Sequence, residues 1–287
     1  MSIVTKAMVL NLQIGIWKGY RLDREASAKV TQDAGADSDA ARVNKHLVPK
    51  ESLKDIERAA TAVREHFYRM TLPWKDNGDR LLTRMMFRDF IQKHEELSGV
   101  FKDAVDDFVT RSYPIAREKA AFRMGELFDP NDYPPAESLR RKFYINTDID
   151  PVSEANDFRV SLDAEHADEV KETMEKAMND RLGRAMRDVW SRLATVVGRF
   201  ADKMSTDEVF KESTVRNLEE LIEMLPGLNV LDDPDLAAIH QELADKLVGY
   251  DPKDLRKKPE IRSEAATQAK EIMERMQGFM SAFGVAE

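Results

Sequence analysis

From Asp163 to Met204 the chain reads DAEHADEVKETMEKAMNDRLGRAMRDVWSRLATVVGRFADKM, without a proline. Apolar residues fall at Val170, Met174, Met178, Leu182, Met186, Val189, Leu193, Val197, Phe200 and Met204. The steps are mostly four with an occasional three, the spacing of one stripe along a helix. At about 1.5 Å per residue such a helix is roughly 60 Å long. That is longer than a compact domain is wide, so the helix must pack on another long helix or on another subunit. Gly183 and Gly198 each cost only about 1 kcal/mol against alanine, too little to break a packed helix.

The rest of the chain supplies partners for it. Leu10, Leu12, Ile14 and Ile16 alternate with Asn11, Gln13, Gly15 and Trp17, a half-buried strand. Residues 22–41 read as a short helix and a loop, and Val43–Val48 as a second short strand. Pro49 suits a helix start, and Leu53, Ile56, Ala60, Val63, Phe67 and Met70 follow as a stripe. Asp76-Asn77-Gly78-Asp79 is a hairpin signal, with Leu72 and Trp74 on one arm and Leu81 and Thr83 on the other, and an ordinary loop explains it equally well. Met85–Arg111 is expected as a second long helix beside the first, kinked or broken at Pro114. Ala136–Lys142 reads as a short helix, Phe143–Ile149 and Phe158–Leu162 as strands. Helices follow at Val209–Leu225, stopped by Pro226-Gly227, then after the Asp232-Asp233-Pro234 cap, and at Ile261–Phe283.

The expected fold is therefore mainly α (α+β). Long antiparallel helices form a coiled-coil-like stalk, and N-terminal and central strands form a small antiparallel sheet. The expected domains are 1–162, an α+β domain with a helical hairpin arm, and 163–287, a helical region.

Charge narrows the function classes. A net charge of −9 gives no overall basic field to hold a duplex. With no cysteine, disulfides, thiolate catalysis and Cys-ligated metals are all excluded. No run approaches the ~18 apolar residues of a membrane span, and Asn11 and Gln13 interrupt the apolar start, so a cytoplasmic protein with no membrane partner is expected. No Walker A, GxGxxG, GxSxG or HExxH pattern occurs. Asp163, His166 and Glu169 can share a helix face, but a solvated face explains them as well. Asn146, Asp148 and Asp150 begin like a calcium loop, yet Pro151 stands where the sharp-turn glycine belongs and Asp157 where glutamate belongs. No enzyme, cofactor or metal site is expected.

Two clusters remain as candidate contacts. Trp17, Tyr20 and Arg21 follow the first strand, Arg140, Arg141 and Tyr144 lead into another, and Arg159 sits on a third. Were these strands paired, aromatic and basic side chains would meet on one sheet, as in single-strand nucleic-acid binders. The plainer alternative makes the aromatics core, with cations snorkelling over its rim. Met273, Met276, Met280 and Phe283 end the last helix in a soft apolar surface suited to a partner, although ordinary core packing is the preferred reading.

The stretches LNLQIGIWKGYR (Leu10–Arg21), LVPKESL (Leu47–Leu53), DYPPAESLRRKF (Asp132–Phe143) and DFRV (Asp157–Val160) resemble an uncharacterised helical family of phage, plasmid and integrative-element proteins. Some members are encoded near a MoxR-type AAA+ ATPase and a von Willebrand A-domain protein like that of cobalt chelatase. The resemblance brings no reaction and no catalytic residues. It implies a bacterial cell or infected host cell, a mobile element, and an AAA+ ATPase as a partner. The resulting expectation is a non-enzymatic assembly or adaptor protein, homo-oligomeric because one chain leaves stripe area uncovered. The alternative is a single-strand nucleic-acid-binding or annealing protein of phage recombination or replication.

Overall fold

The computed structural model describes residues 3–153, 164–206 and 209–282. It is mainly helical with a small antiparallel sheet. Along the chain come β1 (Ala7–Gly15), β2 (Tyr20–Asp23), α1 (Arg24–Asp33), β3 (Val43–His46) and α2 (Lys54–Met70), the last preceded by a 3-10 turn after Pro49. Next are β4 (Leu72–Pro73), β5 (Arg80–Thr83), α3 (Phe87–Asp107), α4 (Tyr113–Glu118), α5 (Ala120–Met124), α6 (Ala136–Arg140) and β6 (Tyr144–Pro151). The remainder is helical: α7 (Ala164–Ser205), α8 (Ser213–Leu228), α9 (Pro234–Leu247), α10 (Pro252–Lys257) and α11 (Pro259–Ala282). The strand expected at Phe158–Leu162 and the boundary expected at 162/163 lie outside the described residues.

The chain divides into two compact units: Met1–Asn11, Tyr68–Phe90 and Asp148–Glu287 form the first, Leu12–Phe67 and Ile91–Thr147 the second. One sheet has the strand order β4-β5-β1-β6, and β2 and β3 form a separate two-stranded sheet.

In the first unit, the Asn77-Gly78 turn joins β4 to β5. Gly78 takes φ +94°, which side chains disfavour, and the arms pair Leu72 with Leu81 and Pro73 with Arg80. β5 then pairs antiparallel with β1, Ala7 opposite Thr83 and Leu10 opposite Arg80. α7 is a single continuous helix, as its spacing predicts. Its face of Met186, Val189, Trp190, Leu193, Val197 and Phe200 is fully buried. α8 and α11 pack along that half. Sequence spacing predicts residues 85–111 in this place; the long partner found is α11. It runs antiparallel, with Arg262 donating to the Lys203 carbonyl at 2.7 Å and Phe279 against Trp190, ring centroids 6.0 Å apart.

The caps follow the sequence. Asp233 accepts from the Asp235 and Leu236 amides at 2.9 and 3.3 Å. Asp251 accepts from Lys253 at 2.8 Å, and proline takes the first helical position in both α9 and α10. One stop signal fails. Pro226 lies inside α8, which runs on to Leu228. Only two residues follow it, so its missing N–H and its ring disturb one turn rather than a helix interior. Gly227 lets that turn approach closely: a Cβ there would stand 2.8 Å from the Met86 sulfur, and its carbonyl accepts from the Thr83 hydroxyl at 2.7 Å.

The second unit has its own core of Trp17, Leu47, Val48, Leu53, Ile56, Phe101, Val105, Phe108, Tyr113, Tyr133, Leu139 and Phe143. Here α3 is not broken at Pro114. It passes through a π turn, Phe108–Ser112, in which the Tyr113 amide bonds the Phe108 carbonyl, and Pro114 then sits in the first turn of α4. The wider turn takes up the shift in bonding that a proline without N–H imposes.

Candidate functional site

The aromatic and basic residues singled out in the sequence do not meet on one sheet. Tyr20 and Arg21 are on β2, in the two-stranded sheet, whereas Tyr144 begins β6 in the other. Trp17 is core, 8% exposed, packed edge-on to Tyr113 at 5.8 Å and against Phe108 at 6.3 Å. A ring so enclosed cannot stack on a base, which corrects the expectation for Trp17. Arg140 is ion-paired with Asp106, and Arg141 is exposed and donates to the Ser138 hydroxyl at 3.3 Å. Tyr144 is 44% exposed and borders a hollow lined also by Phe101, Val105, Arg140 and Phe143. Arg159 lies outside the described residues.

The methionine surface is also corrected. Met276 and Met280 are buried, and Met273 reaches within 3.6 Å of the Cβ position of Gly198. Met273 packs against α7, whose buried face α11 helps to cover, and α11 also packs on α9. Phe283 lies outside the described residues, as does Asp163. Residues 146–150 are strand, extended rather than wrapped as an ion-binding loop.

Polar side chains in the second unit converge on the buried Asp132. Lys45 on β3 bonds Asp132 at 2.5 Å and lies 3.6 Å from Asp23. Arg21 reaches the other oxygen of Asp132 at 2.6 Å. The Asp132 hydrogen bond holds the Lys45 ammonium above its ordinary pKa, against burial, which lowers it. The Asp23 carboxyl is held below the usual range, chiefly by the Ala26 amide that it caps. All these groups face one another, and their geometry is that of a clamp between the two-stranded sheet and the 130–133 turn.

In the first unit a cleft of about 530 Å³ lies between α7 and α8, lined by Tyr68, Arg69, Arg192, Thr195, Asn217 and Glu220, among others. Its cations are committed to structure. Arg192 donates to the carbonyls of Arg69 and Thr71 at 2.9 and 2.8 Å and pairs with Asp188 at 2.6 Å. Arg80 also donates to the Thr71 carbonyl, at 2.7 Å, while covering the Tyr68 ring. Burial, then the nearby Arg192 charge, push the Arg80 guanidinium down to about 10. These two arginines satisfy carbonyls at the C-terminal end of α2.

His66 and His94, both buried, place their rings 6.3 Å apart in the second unit. His94 Nε2 is 2.9 Å from the Thr147 hydroxyl. Burial pushes the His94 imidazole below 6.5, His66 adds to that, and Glu95 opposes it. The folded chain therefore holds its proton less tightly than the unfolded chain. The stability this contributes is complete above pH 6.5 and is lost as pH falls below it. Melting temperature should accordingly drop on acidification from about pH 7 to 5, and less steeply in His94→Gln. Parallel acid profiles for parent and variant would show that His94 does not carry the effect.

One surface feature escaped sequence reasoning. Phe122 on α5 is 98% exposed, with Ile115 at 52% and Leu127 at 45% in the same stretch. The signal was available: Ala116, Ala120 and Met124 repeat every four residues, and Phe122 falls on the opposite side of the helix. Among the described residues, no helix is long and apolar enough to cross a membrane. In comparisons with known proteins, the chain matches no protein family, no curated protein and no solved structure.

Proposed function

We propose that this chain is a non-enzymatic assembly or adaptor protein that self-associates through the N-terminal half of α7. The observation that carries the reading is how α7 is covered. Met186 to Phe200 are buried under α8 and α11, whereas residues 168–176 are exposed except for half-buried Met174, and Val170 is 38% exposed. Each four-residue step along the stripe overshoots a full helical turn by about 40°. Val170 and Met186, four steps apart, therefore point about 160° apart. The apolar residues of the N-terminal half thus lie on a different side from the face that α11 covers, a geometry suited to a separate contact. In this reading α7 is the shaft of a helical stalk, with a second copy against Val170, Met174 and Met178. The family resemblance adds the mobile-element setting and an AAA+ ATPase that such an assembly would serve.

Light scattering should give a mass above that of the 32.8 kDa single chain. Replacing Val170 and Met174 together by lysine should return the single-chain mass without lowering the melting temperature, because both lie outside the buried half. A single-chain mass for the parent at high concentration would overturn the reading.

A further inference from the structure

The open side of α7 ends abruptly. At about 100° per residue, Arg181, Arg184 and Arg192 all fall within about 40° of Val170 around the helix axis. Arg181 lies over the Trp74 ring, 5.9 Å from its centre. Arg184 pairs with Asp76 at 2.5 Å, and Arg192 donates to the Thr71 carbonyl at 2.8 Å. The β4–β5 hairpin and the residue before it therefore occupy this side of α7 from Arg181 onward. Ahead of Arg181 the same side is open, with Val170 exposed and Met174 half-buried.

Charge borders the open part on both edges. Glu169 and Lys176 lie about 100–120° to one side of Val170, and Lys171 and Glu175 about 100–140° to the other. All four are exposed, and Lys171 stands 4.0 Å from Glu175 of its own helix. Each edge carries one acid and one base, acid first on one edge and base first on the other. Glu169 and Lys176, Lys171 and Glu175, and Val170 and Met174 are three pairs with a common midpoint, at residues 172–173.

We propose that, in the self-association through α7 on which this inference rests, two copies lie antiparallel about a two-fold axis near Glu172 and Thr173. Such an axis lays each edge of α7 against the same edge of the second copy, with the chain direction reversed. Val170 of each copy then packs on Met174 of the other, Glu169 faces Lys176 and Lys171 faces Glu175, each twice by symmetry. The reversal also brings the first residue of the second copy's helix, Ala164, level with Arg181. The second helix thus begins where the hairpin closes the open side. A parallel pair would set like residues level. Each hairpin would then need the space beside Arg181 through which the other copy's helix runs, because packed helices lie only about 8–10 Å apart.

The chain has no cysteine, so a single introduced cysteine can carry a spin label in the full chain. Thr173 and Asp180 are both exposed and lie towards the edge of Glu169 and Lys176. Labels on Thr173→Cys should lie close together, beside the axis. Asp180→Cys moves each label seven residues away in opposite directions, about 21 Å along the helices, so its separation should be longer by about 10 Å or more. Changing Lys171→Glu and Lys176→Glu together should weaken self-association about tenfold or more at low salt. Adding Glu169→Lys and Glu175→Lys should restore it. Equal label separations at the two positions mean a parallel pair, and the proposal falls while self-association through α7 stands. Undiminished association of the Lys171→Glu, Lys176→Glu variant overturns it as well. A single-chain mass for the parent removes both readings.

Discussion

Trp190→Ala should lower the unfolding free energy of the first unit by about 3–5 kcal/mol, the range for truncating a large buried aromatic. Trp190 is fully buried on α7 and lies against Phe279 of α11. Its neighbours Met186, Val189 and Leu193 are also at 0% exposure. They belong to elements fixed along their length, so the space left behind cannot collapse. At roughly 2–4 °C per kcal/mol for a unit of this size, the melting temperature should fall by about 6–20 °C. Calorimetry or circular dichroism measures it. Val170→Ala serves as the internal comparison: at 38% exposure it should cost well under 1 kcal/mol, as surface changes do. Equal losses from the two substitutions would refute the division of α7 into a covered and an uncovered half.

Asp132→Ala should destabilise the second unit nearly as much, by about 3–5 kcal/mol, the cost of breaking a buried ion pair by removing one partner. The Asp132 side chain is 4% exposed and that of Lys45 10%. Without Asp132, the nearest carboxylate left to Lys45 is Asp23, 3.6 Å away, beside the neutral Leu127 carbonyl at 3.2 Å. Exchanging Asp132 and Lys45 together for leucine and methionine removes both buried charges, so the double variant should be more stable than Asp132→Ala alone. The pH dependence has its own sign. The folded-state pKa of Lys45 is raised, so its share of stability is complete below the unfolded value of 10.5 and is lost as pH rises through the folded value. Alkaline melts of the parent and of Lys45→Met, compared above pH 10, give the readout. A double variant as unstable as Asp132→Ala would show that packing around the turn, not the orphaned charge, sets the cost.

Local chemistry was legible in the sequence. The ends of α7 fall within a residue of the bounds 163–204 expected for it, the Asn-Gly turn forms the hairpin, and Asp233 before Pro234 caps a helix. Each rests on a handful of adjacent residues acting on their own backbone. The places where prediction failed depend on partners distant in sequence. Pro226 is tolerated within α8, where Gly227 packs closely against Met86 and Thr83. Pro114 is absorbed by a π turn whose Phe108 packs with Trp17 and Phe143. The contact candidates fared worst, because strand pairing decides which side chains share a face, and composition does not reveal pairing. Tyr20 and Arg21 kept their exposure while Trp17, a few residues away, turned inward.

The interleaving of the two units sets an order of events during synthesis. Every residue of the second unit has been made once Thr147 emerges, with half of the chain still to come. The first unit contributes the earliest strand of the chain, yet its helical core closes only when α11 arrives at the far end. Until then α7, freshly made, carries Met186, Trp190, Leu193 and Phe200 with no cover from α11. Exposed apolar surface of this kind is what draws nascent chains into misassembly and toward chaperones. A messenger cut short after Thr147 but before the last helix therefore yields a chain with a finished unit and a sticky, unfinished one. Removing α11 should be far more harmful to solubility than its position at the edge of the sequence suggests.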